Sequence, residues 1–363
     1  MGSRTKLICA LVMSLAVAAP LLNADPAVDP YKWSVMPLPA LAIAPETGIG
    51  YGVAALFTGS PASLSLTGKT DSAVSSILYT QKSQLEFDLV VEKYFGTGDW
   101  FLNAEPLFNK YPSFFWGIGP DTKSSSKENF SYTEGGLITS FLKEISPRLF
   151  IGPYYRLLVY DVTASQAGGI ISSGTVPGGD GGVLSAFGMR FLLDKRDRRY
   201  CTSAGYFLDL KAALMGRVIG ASSNSYIFEG DFRNYYTLFP ENILAYNVVA
   251  RFTGYGMPLR GIPRLGGLYL MRGYYEGRYM DYDYITAQVE YRFPLFWTFR
   301  GAVYAAAGQV APQLNYFKTD GLKLSYGFGL HWKPFDFMDA PLRFDLAFAD
   351  IGPQLYLDLQ EAF

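Results

Sequence analysis

Residues 285–293 alternate without interruption between apolar and polar side chains, reading ITAQVEYRF in one-letter code. Because successive side chains of a β-strand point to opposite faces, this alternation predicts a strand with one apolar face and one charged or polar face. A strand of this kind needs a water-free environment on one side only. The feature therefore restricts the chain to sheets that are covered on one face.

The same alternation recurs along the chain and predicts about sixteen strands, an even number that is typical of single-chain outer-membrane barrels. If lipid covers the apolar face, the sheet must close, because lipid cannot hydrogen-bond a free edge. We therefore predict an all-β fold, a transmembrane antiparallel β-barrel; a soluble β-sandwich is the alternative. The predicted strands are 38–44, 48–58, 72–81, 83–94, 99–107, 130–143, 147–160, 183–193, 204–216, 225–238, 243–254, 282–293, 299–309, 321–333, 341–349 and 354–363.

The composition agrees with a barrel, since 49% of residues are apolar, 17% are charged, and Tyr and Phe number 27 each. The mature sequence holds no run of 18 apolar residues that would predict a membrane-spanning helix.

The lengths of the connections give an independent test of the strand order. If the N-terminus is periplasmic, the long connections 108–129, 161–182, 255–281 and 310–320 all fall on the outer side, as in known barrels.

The first 24 residues have the features of a secretory signal peptide: basic Arg4 and Lys6, an apolar core, and a small-residue cleavage site ending at Ala24. We predict a signal peptide at 1–24, a short periplasmic segment at 25–37 and the barrel at 38–363. Removing the signal leaves 29 basic and 32 acidic residues, a net charge of −3 that does not favour nucleic acid as a partner. Only Cys201 remains, so no internal disulfide is predicted.

The polar faces of the predicted strands carry charges of both signs, whereas a pore selective for one ion type would favour one sign. Two interpretations stay open. In the first, the interior is crowded with paired charges or plugged by a loop. In the second, the charged residues are simply solvated lumen walls. The residues concerned are Glu86, Asp88, Asp209, Lys211, Glu229, Asp231, Arg233, Arg251, Glu290, Arg292, Lys323, Arg343 and Asp345.

Evidence for an enzyme is weak in this sequence. His331 is the only histidine, and the alternation of its strand places it with Lys323 and Ser325 on the lumen side. A catalytic triad needs a base beside its nucleophile, so a structural role for His331 is favoured over a barrel lipid hydrolase. No metal-ligand spacing or phosphate-binding loop is found, so we predict no cofactor and no metal.

Four segments carry a resemblance to a known family. Residues 270–274 (LMRGY), 277–279 (GRY) and 288–294 (QVEYRFP) resemble the sixth outer loop and the twelfth strand of BamA/TamA-type barrels, and residues 341–363 are similar to the last two strands. These barrels form the bacterial surface antigen superfamily of outer-membrane assembly and two-partner-secretion translocases. The resemblance implies an outer-membrane location in a Gram-negative-type bacterium.

The resemblance also implies roles for particular residues. Arg272, Gly273 and Tyr274 would form the tip of a sixth outer loop that folds into the lumen, and Glu290 and Arg292 would be wall residues that anchor it. Gly273 would allow a turn that a side chain would obstruct. The family usually has an aspartate in the thirteenth strand, where this chain has Ala306, so one expected partner of Arg272 is missing.

The resemblance favours a non-enzymatic function in outer-membrane protein or lipid assembly or translocation, in a member without POTRA domains. A passive pore for small solutes is the alternative. Outer-membrane lipids and, during biogenesis, the barrel-assembly machinery are the expected partners, and a homodimer is compatible with the sequence. Phe363 resembles the terminal aromatic signal that this machinery reads. It would share one face of the last strand with Leu355 and Leu357.

Overall fold

The computed structural model describes residues 32–60, 69–199, 201–333, 341–358 and 360–363. Sixteen long strands form one closed antiparallel barrel, and two short strands form a separate hairpin. The strands are β1 (Lys32–Ala44), β2 (Gly48–Ser60), β3 (Asp71–Thr80), β4 (Leu85–Phe95), β5 (Trp100–Phe115), β6 (Glu128–Ser146), β7 (Leu149–Ser165), β8 (Gly181–Asp194), β9 (Gly205–Met215), β10 (Ser225–Phe239), β11 (Asn242–Thr253), β12 (Arg264–Leu265), β13 (Tyr279–Met280), β14 (Asp283–Pro294), β15 (Phe299–Ala311), β16 (Lys323–Trp332), β17 (Leu342–Ala349) and β18 (Gly352–Asp358).

Neighbouring barrel strands are also neighbours in sequence, with two exceptions. β14 pairs with β11 because the β12–β13 hairpin lies in the loop between them, and β1 pairs with β18 to close the barrel. The predicted fold class is therefore confirmed, and each of the sixteen predicted strands has a counterpart. Among the described residues, helical structure is limited to single 3-10 turns. These are Ser124–Ser126, Ile171–Ser173, Arg217–Ile219, Leu259–Gly261, Leu314–Tyr316 and Thr319–Gly321. In the described part of the chain, no helix is long and apolar enough to cross a membrane.

The side chains separate into two faces as the alternation predicts. Val289 and Leu214 are exposed on the outer face. Glu290, which follows Val289 in the sequence, and Asp345 are fully buried in the barrel. Exposed apolar side chains over a whole sheet face require a lipid cover, because water would make that surface strongly unfavourable. Polar groups are thereby directed into the lumen.

The four longest connections, 116–127, 166–180, 254–282 and 312–322, lie at one end of the barrel, which we call the outer end, and the connections at the other, the periplasmic end, are shorter. The longest outer connection, residues 254–282, is the sixth and is called here the returning loop. β5 and β7 extend furthest beyond their predicted ends on this side, to Phe115 and Ser165. Pattern alone misses these extensions because their side chains contact the loops rather than lipid.

Two boundaries differ at the ends of the chain. β1 begins at Lys32, so it takes up part of the predicted periplasmic segment 25–37. β18 ends at Asp358, whereas the predicted strand continued to Phe363. The signal peptide at 1–24 lies outside the described residues and stays a prediction.

One junction in the barrel differs from the others. β1 and β2 pair along their whole length, from Lys32–Ser60 to Ala44–Gly48. The described residues of β1 and β18 pair at a single position, Ile43 with Leu357. We call this junction the seam. Among the described residues, the seam has fewer paired positions than any other junction of the barrel. This matters because backbone hydrogen bonds hold neighbouring strands together in lipid.

Candidate functional site in the barrel interior

The returning loop runs down into the lumen and places its tip, residues 271–274, among buried groups. Arg272 is 1% exposed and Tyr274 is 2% exposed, although both belong to an outer loop. A buried arginine requires carboxylate partners, because an unpaired charge is strongly unfavourable away from water. The surrounding wall supplies them.

Arg272 binds two carboxylates on opposite sides of its guanidinium. Its Nη2 donates to Glu290 on β14 at 2.5 Å, and its Nη1 donates to Asp345 on β17 at 2.6 Å. The guanidinium carbon also lies 3.6 Å from the ring centre of Tyr304 on β15, a cation–π geometry. Three wall strands thus hold one loop side chain, and short charge-assisted hydrogen bonds of this kind are about twice as strong as neutral ones.

The structure brings together one half of the predicted partner set and changes the other half. Glu290 contacts Arg272 as the resemblance implied, and the missing aspartate at Ala306 is replaced by Asp345, two strands further along the barrel. Sequence comparison with the family pattern could not find this exchange, because Asp345 lies far from the thirteenth barrel strand in sequence. The signal available was only that Asp345 faces the lumen.

Gly273 and Tyr274 complete the tip. Gly273 has φ +111°, and a Cβ there would lie 3.2 Å from the Cβ of Ala349. Its N–H donates to the Tyr356 hydroxyl at 2.8 Å, and the Tyr274 hydroxyl donates to the Leu324 carbonyl at 3.2 Å. Glycine is required here for both backbone conformation and space. The tip therefore has one arrangement in the lumen.

Arg292 and Arg343 extend this network on both sides. Arg292 donates to Glu290 at 2.7 Å, and Arg343 donates to Asp345 at 3.0 Å. We refer to Arg272, Glu290, Arg292, Arg343 and Asp345 together as the Arg272 cluster. Every member is at most 1% exposed. Paired charges of both signs account for this part of the lumen, and solvated walls do not.

The last residues of the chain also enter the lumen, which corrects the predicted position of Phe363. Phe363 is buried with Tyr235 and Ala245, its carbonyl accepts a hydrogen bond from Arg292 at 3.2 Å, and the Arg292 guanidinium lies 5.6 Å from its ring. Residues 360–363 lie outside the strands, and the contact with Arg292 holds Phe363 in the lumen. Leu357 stays on β18, and Leu359 lies outside the described residues.

His331 faces the lumen as predicted. Its Nδ1 lies 2.9 Å from Glu361 and its Nε2 lies 3.5 Å from Asp345. A histidine between two carboxylates forms ion pairs and has no hydroxyl nucleophile in these contacts. Glu290, His331 and Glu361 bring ligand atoms within 4.8 Å of one another, but Glu290 already binds two arginines, so the arrangement does not favour a metal.

A second anchor of the returning loop was not predicted. Arg260 donates twice to Glu134 on β6, both times at 2.7 Å, and lies 3.9 Å from the Tyr132 ring centre. Near the mouth, the backbone N–H of Glu276 donates to Glu46 in the β1–β2 turn. Burial raises the pKa of Glu46 to about 7, and the nearby Glu276 carboxylate adds to the rise.

Comparison with known proteins agrees with this interior. The Omp85 superfamily domain matches residues 57–354 of the chain. The chain belongs to the Omp85 superfamily. Among curated protein sequences no match is found.

Solved Omp85-type barrels share the fold at low sequence identity. BamA from Haemophilus ducreyi lacking POTRA domains 1–3 aligns with a TM-score of 0.60 at 14% identity, covering 91% of this chain and 70% of that one. CdiB from Acinetobacter baumannii aligns at 0.53 and 12% identity, covering 91% and 66%. CdiB from Escherichia coli aligns at 0.55 and 11% identity, covering 90% and 63%. The chain thus spans about two thirds of the length of these proteins.

Proposed function

We propose that this Omp85 barrel resides in the outer membrane and assists the assembly or translocation of protein or lipid there, without catalysing a reaction. The observation that carries the proposal is the seam. Ile43 and Leu357 are its one paired position among the described residues, and a junction with so few described backbone hydrogen bonds can part in lipid at low cost. Outer-membrane lipids and the barrel-assembly machinery are the proposed partners.

The Arg272 cluster, on the wall that adjoins the seam, supports the proposal. Arg272, Gly273 and Tyr274 fix the returning loop inside the lumen, and Glu290 and Arg292 form the wall to which it is fixed. We propose that these residues hold the strands β14–β17 as a rigid unit against which the seam opens. We also propose that Phe363 serves barrel assembly, as a terminal aromatic that can occupy the last strand before it enters the lumen.

A disulfide across the seam tests this proposal. Ile43→Cys and Leu357→Cys are introduced together in a Cys201→Ser background, because Cys201 is the native thiol of the described chain. In a native host lacking the gene, we measure outer-membrane lipid asymmetry and barrel-protein levels. We expect the oxidised variant to fail to restore the normal values and a reductant to rescue it.

A matched pair in the closed wall is the control. Val303→Cys with Phe328→Cys joins paired, lipid-facing positions of β15 and β16, and should restore function whether oxidised or reduced. Full function of the oxidised seam variant, verified as cross-linked on a gel, would refute seam opening. Loss of function in both pairs would assign the effect to the chemistry of cross-linking instead.

A further inference from the structure

The periplasmic end of the lumen contains a cavity of about 700 Å³ that the Arg272 cluster does not use. It is bounded by the β6–β7 and β8–β9 turns and by the lumen faces of β1, β2, β5 and β7–β9. This size is within the range of pockets that enclose small ligands. We call it the basic cavity because six cationic side chains line it: Lys69, Arg148, Arg190, Arg196, Arg198 and Arg199.

Four of these cations have carboxylate partners. Arg190 binds Asp209 at 2.9 Å and Arg196 binds Asp194 at 2.7 Å. Arg199 binds Glu92 and Lys69 binds Glu144. These pairs neutralise one another, so they fix the walls of the cavity and leave its net charge to the remaining groups.

Arg148 and Arg198 are the remaining cations. The Arg148 guanidinium donates to the carbonyl of Arg196 at 2.9 Å, and neither guanidinium has a carboxylate within ion-pairing distance among the described residues. Asp197 lies nearby, but it is occupied by the Ser203 hydroxyl and by the N–H groups of Ser203 and Ala204. Although burial opposes ionisation, these hydrogen bonds hold the pKa of Asp197 below its usual range.

Part of the lining of the basic cavity is apolar. Phe101, Phe150 and Leu192 form a buried cluster, and Leu56 and Phe207 continue the lining. Two available guanidinium groups in a cavity with an apolar lining match a ligand that joins an anion to a hydrocarbon. Arginine binds phosphate oxygens in a two-pronged geometry, and hydrocarbon gains from leaving water.

The cavity also adjoins the seam. Ser34 and Met36 of β1 line it. On the edge of β1 that faces β18, these two residues have no strand partner among the described residues, since the described β1–β18 pairing is at Ile43. A lipid of the periplasmic leaflet could therefore place its headgroup in the cavity while its acyl chains remain in the membrane. A soluble anion would not need this lateral position or the apolar wall.

We propose that the basic cavity binds the phosphate headgroup of an anionic glycerophospholipid, with Arg148 and Arg198 on the phosphate and the Phe101–Phe150–Leu192 wall on the first acyl carbons. The site stands on its own contacts and does not require that the seam open during function. Its failure and the failure of seam opening are therefore separate results.

Binding is measured by calorimetry on the full chain in a neutral detergent, with dihexanoylphosphatidylglycerol as the probe. The double variant Arg148→Gln/Arg198→Gln should bind at least about 10-fold more weakly, because two charge-assisted contacts are lost. The control Arg217→Gln removes an exposed arginine at the outer end and should leave binding unchanged. The dibutyryl homologue should bind more weakly than the dihexanoyl lipid, because it covers less of the apolar wall.

Three results would overturn the proposal. These are equal binding by the double variant, inorganic phosphate binding as tightly as the lipid, and displacement of the lipid by an acidic peptide, such as hexaglutamate, that binds more tightly. Phosphate alone would identify a free-anion site, and the peptide a protein partner. A measurement on the unmodified chain avoids any folding defect: the lipid should protect Arg198 from phenylglyoxal, detected by mass spectrometry, and inorganic phosphate at the same concentration should not.

Discussion

The wall β14–β17 and the seam beside it are held together in opposite ways. On one side, the wall β14–β17 is joined to the returning loop by the Arg272 cluster, whose charges are all buried and all paired. On the other side, the seam between β18 and β1 has one paired position in the described chain. The same barrel therefore combines a strongly fixed wall with a weakly closed junction.

The difference shows where stability is concentrated in this fold. A buried ion pair contributes little over an apolar pair while it is intact, but breaking it leaves an uncompensated charge. The cluster thus makes one arrangement of the loop much lower in free energy than its alternatives. The seam has no such cluster among the described residues, so small structural changes there change the free energy little. Disrupting each side in turn measures this contrast.

The largest effect is expected from Arg272→Ala. Removing this side chain leaves Glu290 and Asp345 buried with reduced compensation, at a cost of about 3 to 5 kcal/mol in the free energy of unfolding. The measurement is urea denaturation in lipid vesicles, followed by heat-modifiable migration on gels. The exposed Arg217→Ala should change stability by less than about 0.5 kcal/mol. Equal stability of the two variants would contradict the assigned role of the cluster.

The same variant distinguishes the plugged lumen from a passive pore. In planar bilayers the unmodified chain should conduct little, because the returning loop occupies the lumen, and Arg272→Ala should show larger and more frequent openings. A large steady current that is the same in both chains would favour the pore for small solutes. The Arg217→Ala chain again serves as the control for purification and insertion.

Asp345→Asn is expected to be the next largest change. Arg272 keeps Glu290, but it loses its second carboxylate, and Arg343 is left with Asp358 at 3.5 Å, so we expect a loss of about 2 to 3 kcal/mol. Asp320→Asn in an exposed outer loop is the matched control. Adding Ala306→Asp to Asp345→Asn tests whether the family position can supply the carboxylate. Rescue would show that the two positions are alternatives for one contact.

The sequence predicts much of this architecture because alternation is a local property. Each strand shows its lipid face through residues such as Val289, and the even strand number and long outer loops follow from the same pattern. The motif around Arg272 predicts that the loop enters the lumen and that Glu290 receives it. These predictions depend on neighbouring residues or on a family motif.

Contacts between distant strands could not be predicted in this way. The pairing of Arg272 with Asp345 and of Arg260 with Glu134 joins residues far apart in sequence, and alternation shows only that the strand residue Asp345 faces the lumen. The inward turn before Phe363 was missed for a related reason. Its alternation fits a lipid-facing strand, but the hydrogen bond from Arg292 competes with strand pairing.

Gly273→Ala tests the backbone of the loop tip and should cost roughly 1 to 3 kcal/mol, because a side chain at this positive φ is strained. Gly119→Ala is a matched control with φ +130° and no atom within 4 Å of the added Cβ. Both variants share the strain, and only Gly273→Ala adds the contact with Ala349. Equal unfolding free energies would show that the tip has room to adjust, contrary to a single fixed arrangement.

The smallest effect is expected at the mouth, where Glu46 holds the returning loop through the N–H of Glu276. Because burial raises its pKa from the usual 4.5 to about 7, the docked loop binds a proton that the undocked loop releases between these values. Docking is therefore strongest below about pH 4.5 and weakens as the pH rises through 7. Hydrogen exchange of residues 274–278, corrected for intrinsic rates, should increase over this range. Glu46→Gln should remove the pH dependence, the exposed Glu241→Gln should preserve it, and persistence in Glu46→Gln would assign the titration to another group.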